Sequence, residues 1–348
     1  MHHLNHRWNK YPKNHIPETF FQQLKMILQT TDSIEIIHTV DVEKVPKGSI
    51  SRYWLRIATD GMGTPIHIPI MIARGQKEGK VLGLTAVVHG NELNGIPVIQ
   101  RLFKEIDIDK LRGTIIGVPV VNIPSLLRKE RRFLDGTDLN HIMPGKPDGN
   151  VSQVYAWRVV ERIVKQFDYL IDLHTASFGR VNSYYIRADM SDETVRQMAQ
   201  LQNPQIIVHN PPSDGTLRGT AAELGIPSIT LEVGNPNTFQ KGLIREGLTG
   251  IHNVMNYLNM LDTETEPPHE DIILCKKSYW IYTDTGGILT VEPKVTEMVK
   301  KGQTIATMTN IFGDIVREYL APEDGVVIGK STNPINQTGG RILHLGII

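Results

Sequence analysis

The sequence predicts an α/β fold: a mixed, mostly parallel sheet flanked by helices, followed by a small all-β unit at the C-terminus. Three observations carry this expectation. Between about residues 80 and 260, near-continuous apolar runs alternate with segments of helical periodicity. Strands buried on both faces and joined by crossover helices have this pattern. Residues 262–270, DTETEPPHE, are acidic, proline-containing and poor in apolar side chains, as linkers are. Beyond them, residues 271–348 carry short β-rich runs with frequent glycine and no helical periodicity, which reads as an all-β unit.

Each element follows in order. Residues 16–30 (IPETFFQQLKMILQT) have apolar residues at helical spacing, so a helix is expected there. SIEIIHTVDV, SRYWLRIATD and TPIHIPIMIAR, within residues 33–74, read as antiparallel strands at a sheet edge, with Gly61 and Gly63 as turns. VLGLTAVV (81–88) is the first buried strand and ends in His89-Gly90. A helix over about 94–106 leads to a second strand, GTIIGVPVVNI (113–123). Another helix, 151–167, leads to FDYLIDLHT (167–175). SDETVRQMAQLQ (191–202) is a helix with Ser191 as its expected N-cap. PQIIVHN is a short strand, TAAELG a short helix, PSITLEVG (227–234) a fourth long apolar strand and 240–260 a final helix. The expected organisation is a catalytic domain over 1–262, whose first 80 residues add a helix and a β edge, then a linker at 263–270 and a C-terminal β domain over 271–348.

Composition narrows the function. Lys plus Arg and Asp plus Glu both number 37, so the formal net charge is zero. No global field then draws the chain to nucleic acid or to an anionic membrane. Arg128, Lys129, Arg131 and Arg132 form a local basic cluster. The single cysteine, Cys275, excludes an internal disulfide and a thiolate metal cluster. Any metal must sit on histidines and carboxylates. The N-terminal stretch lacks the apolar core of a signal peptide. No run approaches the ~20 apolar residues that span a bilayer, so a cytoplasmic enzyme is expected. His2, His3 and His6 fall in an N-terminal stretch, where ordered sites are rare.

Three features carry chemistry. His89 and Glu92 lie where the first buried strand gives way to a helix, and ligands gather outside the carboxyl ends of such strands. Three residues apart, the two could face one point from the first turn of that helix. Asp172 and His174 end another apolar strand and share one of its faces. Two histidines and one glutamate leave a coordination position open, as in a catalytic zinc site. Glu232 ends the fourth apolar strand, in SITLEVG, where a carboxylate is costly to bury without a purpose. A general base is such a purpose.

Together these residues resemble the succinylglutamate desuccinylase and aspartoacylase family, relatives of the zinc carboxypeptidases. The match runs by motif over roughly residues 80–260. The resemblance implies a zinc carboxypeptidase-like sheet, one zinc per chain on His89, Glu92 and His174, and Glu232 as the base that activates water. It extends to Arg132-Phe133-Leu134-Asp135-Gly136-Thr137-Asp138-Leu139-Asn140-His141. By resemblance, Arg132 would polarise the scissile carbonyl, with Arg131 as the alternative one residue earlier. Asp138 would support a ligating histidine, and Asn140 would bind the substrate carboxylate. His141 stands where the family carries an arginine, and a neutral imidazole cannot form the two-pronged carboxylate clamp of a guanidinium. Arg180 and Arg187, from TASFGRVNSYYIRAD, are candidates to replace it.

The C-terminal region resembles a biotinyl- or lipoyl-type barrel-sandwich. The stretch Thr309-Asn310-Ile311-Phe312-Gly313-Asp314 lacks the modifiable lysine of a carrier, so a structural or gating module is expected. The implied function is zinc-dependent hydrolysis of the amide bond in a small N-acyl amino acid or amine, without nucleic-acid or membrane partners. The alternatives are a metallocarboxypeptidase and a non-catalytic metal-dependent binding protein. The sequence leaves open whether the chain forms a homo-oligomer.

Overall fold

The computed structural model describes residues 34–263 and 271–348. The helix expected at 16–30, His2, His3, His6 and most of the expected linker lie outside the described residues. Among the described residues, the first eleven strands are β1 (Glu35–Ile37), β2 (Ser49–Thr59), β3 (Pro65–Arg74), β4 (Lys77–Ala86), β5 (Arg112–Val118), β6 (Tyr169–His174), β7 (Arg180–Asn182), β8 (Tyr184–Ala188), β9 (Ile206–His209), β10 (Ser228–Val233) and β11 (Ile273–Cys275). All but β7 join one ten-stranded sheet in the order β1-β2-β3-β5-β4-β6-β10-β8-β9-β11.

Six of its nine pairings are parallel, and three are antiparallel. The sheet is therefore mixed and mostly parallel, as expected. β1 departs from the antiparallel edge read from the sequence, because it pairs parallel with β2.

Among the described residues, six α-helices flank the sheet: α1 (Gly95–Glu105), α2 (Ile123–Arg128), α3 (Val151–Arg162), α4 (Glu193–Gln200), α5 (Leu217–Glu223) and α6 (Lys241–Tyr257). They cover both faces. On one side α1, α4 and α6 pack Val98, Leu102, Met198 and Ile251 against Leu84, Ile171 and Leu231 of the central strands. On the other, α3 and α5 pack Tyr155, Val159 and Leu217 against Ile116, Val118 and Leu170. Burying each such aliphatic side chain contributes roughly 1.5–3 kcal/mol. This double cover explains why the strands read as apolar runs rather than alternating ones.

Caps set the helix boundaries. α4 is capped by Asp192, whose carboxylate accepts from Val195 N, rather than by Ser191. Ser191 instead bonds Asp189. α3 begins in a capping box between Asn150 and Gln153. The sequence reading missed α2, a short helix of six residues.

The C-terminal strands are β12 (Lys277–Tyr282), β13 (Gly287–Val291), β14 (Met298–Val299), β15 (Thr304–Thr309), β16 (Ile315–Leu320), β17 (Gly325–Ser331), β18 (Ile335–Asn336) and β19 (Arg341–Ile347). They form two antiparallel sheets, β12-β19-β17-β14 and β16-β15-β13-β18. Leu289, Ile305, Met308, Val327, Leu343 and Leu345 fill the space between them. Two pairings tie this region to the preceding chain: β11 extends the large sheet beside β9, and β7 runs antiparallel to β17.

Candidate active site

β4, β6 and β10 are neighbours in the sheet and run parallel. Their carboxyl ends therefore open on one crevice. His89 and Glu92 follow β4, His174 closes β6 and Glu232 is the penultimate residue of β10.

The turn after β4 is tightly built. Val87 has φ 56°, a left-handed backbone that is an outlier for a β-branched residue and costs about 1–3 kcal/mol. Its carbonyl is held by Asn122 N at 3.0 Å. At Gly90, a Cβ would sit 2.0 Å from the backbone of Ser125 in α2, so only glycine fits. His89 and Glu92 occupy this turn and not the first turn of a helix, since α1 begins at Gly95. Glu92 N donates to the His89 carbonyl at 3.1 Å, and this closed turn brings the two side chains together.

His89, Glu92 and His174 form a buried cluster whose ligand atoms lie within 4.8 Å of one another. Each Glu92 oxygen faces one imidazole: Oε1 lies 2.9 Å from His89 Nδ1, and Oε2 lies 2.9 Å from His174 Nδ1. The far nitrogens face carboxylates. His89 Nε2 is 3.0 Å from Asp138 Oδ1, and His174 Nε2 is 2.8 Å from Asp172 Oδ2. Asp172 is itself held by the Thr85 hydroxyl at 2.6 Å, across the β4–β6 pairing. Asp138 thus stands where the sequence placed it, against a candidate ligating histidine. Asp172 does the same for the second one, although the sequence reading gave it no role.

Electrostatics reinforce this arrangement. Burial alone would raise the Glu92 carboxyl, yet the two histidines hold it well below the usual carboxylate range. Burial alone would lower His174, but Asp172 and Glu92 hold it well above an ordinary imidazole.

The cluster fits a divalent cation. With each Nε2–H donated to an aspartate, both Nδ1 lone pairs turn toward Glu92. One cation there replaces the protons that otherwise reconcile these groups.

Glu232 stands on the next strand, opposite His174 in register. Asn182 Nδ2 donates to its Oε2 at 3.2 Å, and the Tyr185 hydroxyl to its Oε1 at 3.4 Å. Burial raises its carboxyl, the Glu92 charge raises it further, and His174, Arg187 and Arg180 oppose the shift.

The arginine assignment needs correction. Arg131, not Arg132, enters the cluster: its Nε donates to Asp138 Oδ2 at 2.8 Å and its Nη1 to Glu92 Oε1 at 3.0 Å. Arg132 is exposed and bonds the Gly136 carbonyl at 2.8 Å. α2 ends at left-handed Lys129, and the chain then bends at Arg131 and Arg132.

Asn140 lines the cavity, but its Oδ1 accepts from Leu217 N at 2.8 Å at the start of α5. His141 is 66% exposed and 3.7 Å from Asp138, at the rim. Arg187 lies over the Tyr185 ring and donates to Asn210 Oδ1 at 3.2 Å. Arg180 lies 5.6 Å from the Trp280 ring centre.

These residues line a cavity of about 360 Å³, which shares Arg131, His141, Ser177, Arg180 and Arg341 with a second one of about 1020 Å³. Trp280, Arg341 and His344 form part of the smaller cavity's wall. They come from β12 and β19, and the sequence reading missed all three. Nothing local marks them, because tertiary contacts, among them the pairing of β7 with β17, carry the C-terminal region to the site.

That pairing is tight. A Cβ at Gly329 would lie 2.4 Å from Asn182 Oδ1 and 2.8 Å from the Val181 carbonyl. Gly329→Ala is expected to cost about 1–3 kcal/mol through overpacking, read by thermal unfolding. It should also lower kcat more than it raises KM, because it displaces the Asn182 contact to Glu232. A loss of stability with unchanged kcat would detach Asn182 from the Glu232 carboxylate.

The model of the succinylglutamate desuccinylase/aspartoacylase catalytic domain matches residues 78–258, more than half of the chain. The chain belongs to the succinylglutamate desuccinylase/aspartoacylase family. Its relatives include the N-alpha-acetyl-L-2,4-diaminobutyric acid deacetylase of Halomonas elongata, 26% identical over 278 residues, a match covering 76% of this chain and 81% of that protein. The succinylglutamate desuccinylase of Pseudomonas paraeruginosa is 27% identical over 200 residues, covering 51% of this chain and 59% of that protein.

Solved structures of the family share the fold. The product-bound ectoine utilization protein EutE of Ruegeria pomeroyi superposes with a TM-score of 0.79 at 19% identity, covering 88% of this chain and 98% of that one. A family member from Rhodobacter sphaeroides gives a TM-score of 0.78 at 20% identity, covering 89% and 99%. Among the described residues, no helix is long and apolar enough to cross a membrane.

Proposed function

We propose that this family member hydrolyses the amide bond of a small N-acyl amino acid or N-acyl amine with one zinc ion per chain. The carrying observation is the convergence of His89, Glu92 and His174 on one point beside the Glu232 carboxylate, at three adjacent strand ends of a single cavity. The deacylase names borne by the Halomonas and Pseudomonas relatives support the reaction class. A cavity of about 360 Å³ suits a small substrate. In this reading, residues 1–262 form the catalytic domain, 263–270 the linker and 271–348 a β domain that supplies part of the wall.

His89, Glu92 and His174 would hold the metal, with Asp138 and Asp172 fixing the two imidazoles in orientation. Zinc bound there supplies Lewis-acid polarisation and lowers the pKa of water. Glu232 accepts a proton from the attacking water and delivers it to the leaving nitrogen. Asn182 and Tyr185 keep its carboxylate aimed into the cavity. Arg131 presents a guanidinium where negative charge develops on the carbonyl oxygen. Arg187 and Asn140 line the substrate's remaining path.

The test is primary-amine release from N-acetyl amino acids, N-succinyl amino acids and dipeptides, by zinc-loaded and chelator-stripped protein. Release from an acylated amino acid is expected, abolished by stripping and restored by zinc. Release confined to dipeptides would make the chain a peptidase. Release unaffected by stripping would remove the metal from the reaction.

A further inference from the structure

Five arginines line the smaller cavity: Arg131, Arg180, Arg187, Arg218 and Arg341. Three are engaged. Arg131 bonds Glu92 and Asp138, Arg187 bonds Asn210, and Arg218 pairs with Asp214 at 2.5 Å. The guanidinium groups of Arg180 and Arg341 have no hydrogen bond or ion pair among the described residues. Both instead lie beside one ring, 5.6 and 5.4 Å from the centre of Trp280.

The ring itself is fixed. Trp280 and His344 are register partners across β12 and β19, and they stack 5.1 Å apart with an interplanar angle of 11°. His344 is buried, and its Nε2 lies 2.9 Å from the Ser278 hydroxyl. A bulge between Ile281 and Tyr282 breaks the alternation of the strand pair. Ile342 then joins the barrel core while Arg341 turns to the ring. Bulges re-aim side chains in this way. Burial and the positive charge of Arg187, Arg180 and Arg341 keep the His344 imidazole well below its usual range, so it adds no positive charge to this corner.

Two guanidinium groups without a carboxylate ion pair, Arg180 half-buried and Arg341 exposed, meet at an aromatic plane in the cavity wall and form a receptor for a planar anion. We propose that Arg341, contributed by the C-terminal domain, completes with Arg180 a clamp for a carboxylate of the substrate, steadied by Trp280. The clamp takes over the role that the imidazole of His141, which lacks the fork of a guanidinium, cannot fill. The C-terminal domain is thereby part of the recognition site. This inference rests on the amidohydrolase reading above.

Its test measures binding, so that it does not depend on turnover. Zinc-loaded Glu232→Gln protein, with and without Arg341→Met, would be titrated by calorimetry with three ligands. These are Nα-acetyl-L-2,4-diaminobutyric acid, its α-carboxamide, and the Nα-succinyl form of that carboxamide. Loss of one charge-assisted, two-pronged contact is expected to weaken the acid by about 10–100-fold and to leave the acetyl carboxamide within about threefold. Arg341→Lys should fall between, keeping the charge without the fork. Weakening confined to the succinyl compound upholds the clamp and assigns it to the acyl carboxylate. Equal effects on acid and carboxamide, or none on any ligand, overturn the clamp alone. Absence of binding by all three ligands without the Arg341 change overturns both the clamp and the reading beneath it.

Discussion

Glu232→Gln is expected to lower kcat by about 10³-fold, within the range that a positioned general base contributes, while bound metal stays unchanged. The substitution keeps the shape and removes the proton-accepting oxygen. Its amide carbonyl can still accept from Asn182 or Tyr185, the two groups that bond Glu232. The fold should therefore tolerate it. Glu232 lies outside the group of His89, Glu92 and His174, so metal stoichiometry measured by elemental analysis should match the parent. The raised proton affinity that burial and Glu92 impose on Glu232 suits a base that must take a proton from water. A variant with full metal and less than tenfold loss of kcat would take Glu232 out of proton transfer. A variant that loses its metal would make Glu232 a fourth support of the cation site.

How much of this was legible before the structure depended on whether the signal was local. Strand and helix order could be read from the chain because burial on both faces leaves continuous apolar runs, as in β4 and β10. His89, His174 and Glu232 stood out because each ends such a run, where polar groups are expensive unless used, and Glu92 stood out by its spacing from His89. Asp172 was visible as a carboxylate two residues before His174, but its meaning needed the rotamer that places it on Nε2. Trp280, Arg341 and His344 were not legible at all. They sit in ordinary strand patterns of β12 and β19, and their place at the cavity is decided by tertiary contacts such as the β7–β17 pairing. The same limit applies to α2, whose six residues are too few to show a helical period.

The choice between Arg131 and Arg132 shows the limit at one-residue resolution, and it yields the second large prediction. Both residues sit in an identical basic run, and spacing alone cannot say which faces inward. The structure separates them: Arg131 has a side chain 30% exposed and bonds Glu92 and Asp138, whereas Arg132 reaches only a backbone carbonyl in the exposed loop. Arg131→Met is accordingly expected to lower kcat by about 10²–10³-fold, the usual cost of removing one preorganised donor at a developing oxyanion. Arg132→Met should stay within about threefold. Because Arg131 also touches Glu92 and Asp138, its loss could act through the metal, so zinc affinity must be measured in the same variant. Unchanged affinity with a fallen kcat and steady KM assigns the loss to the transition state. A kcat restored by added zinc would instead make Arg131 a support for Glu92 and Asp138. The reverse ranking, with Arg132 the costly position, would show that the loop rearranges when substrate enters.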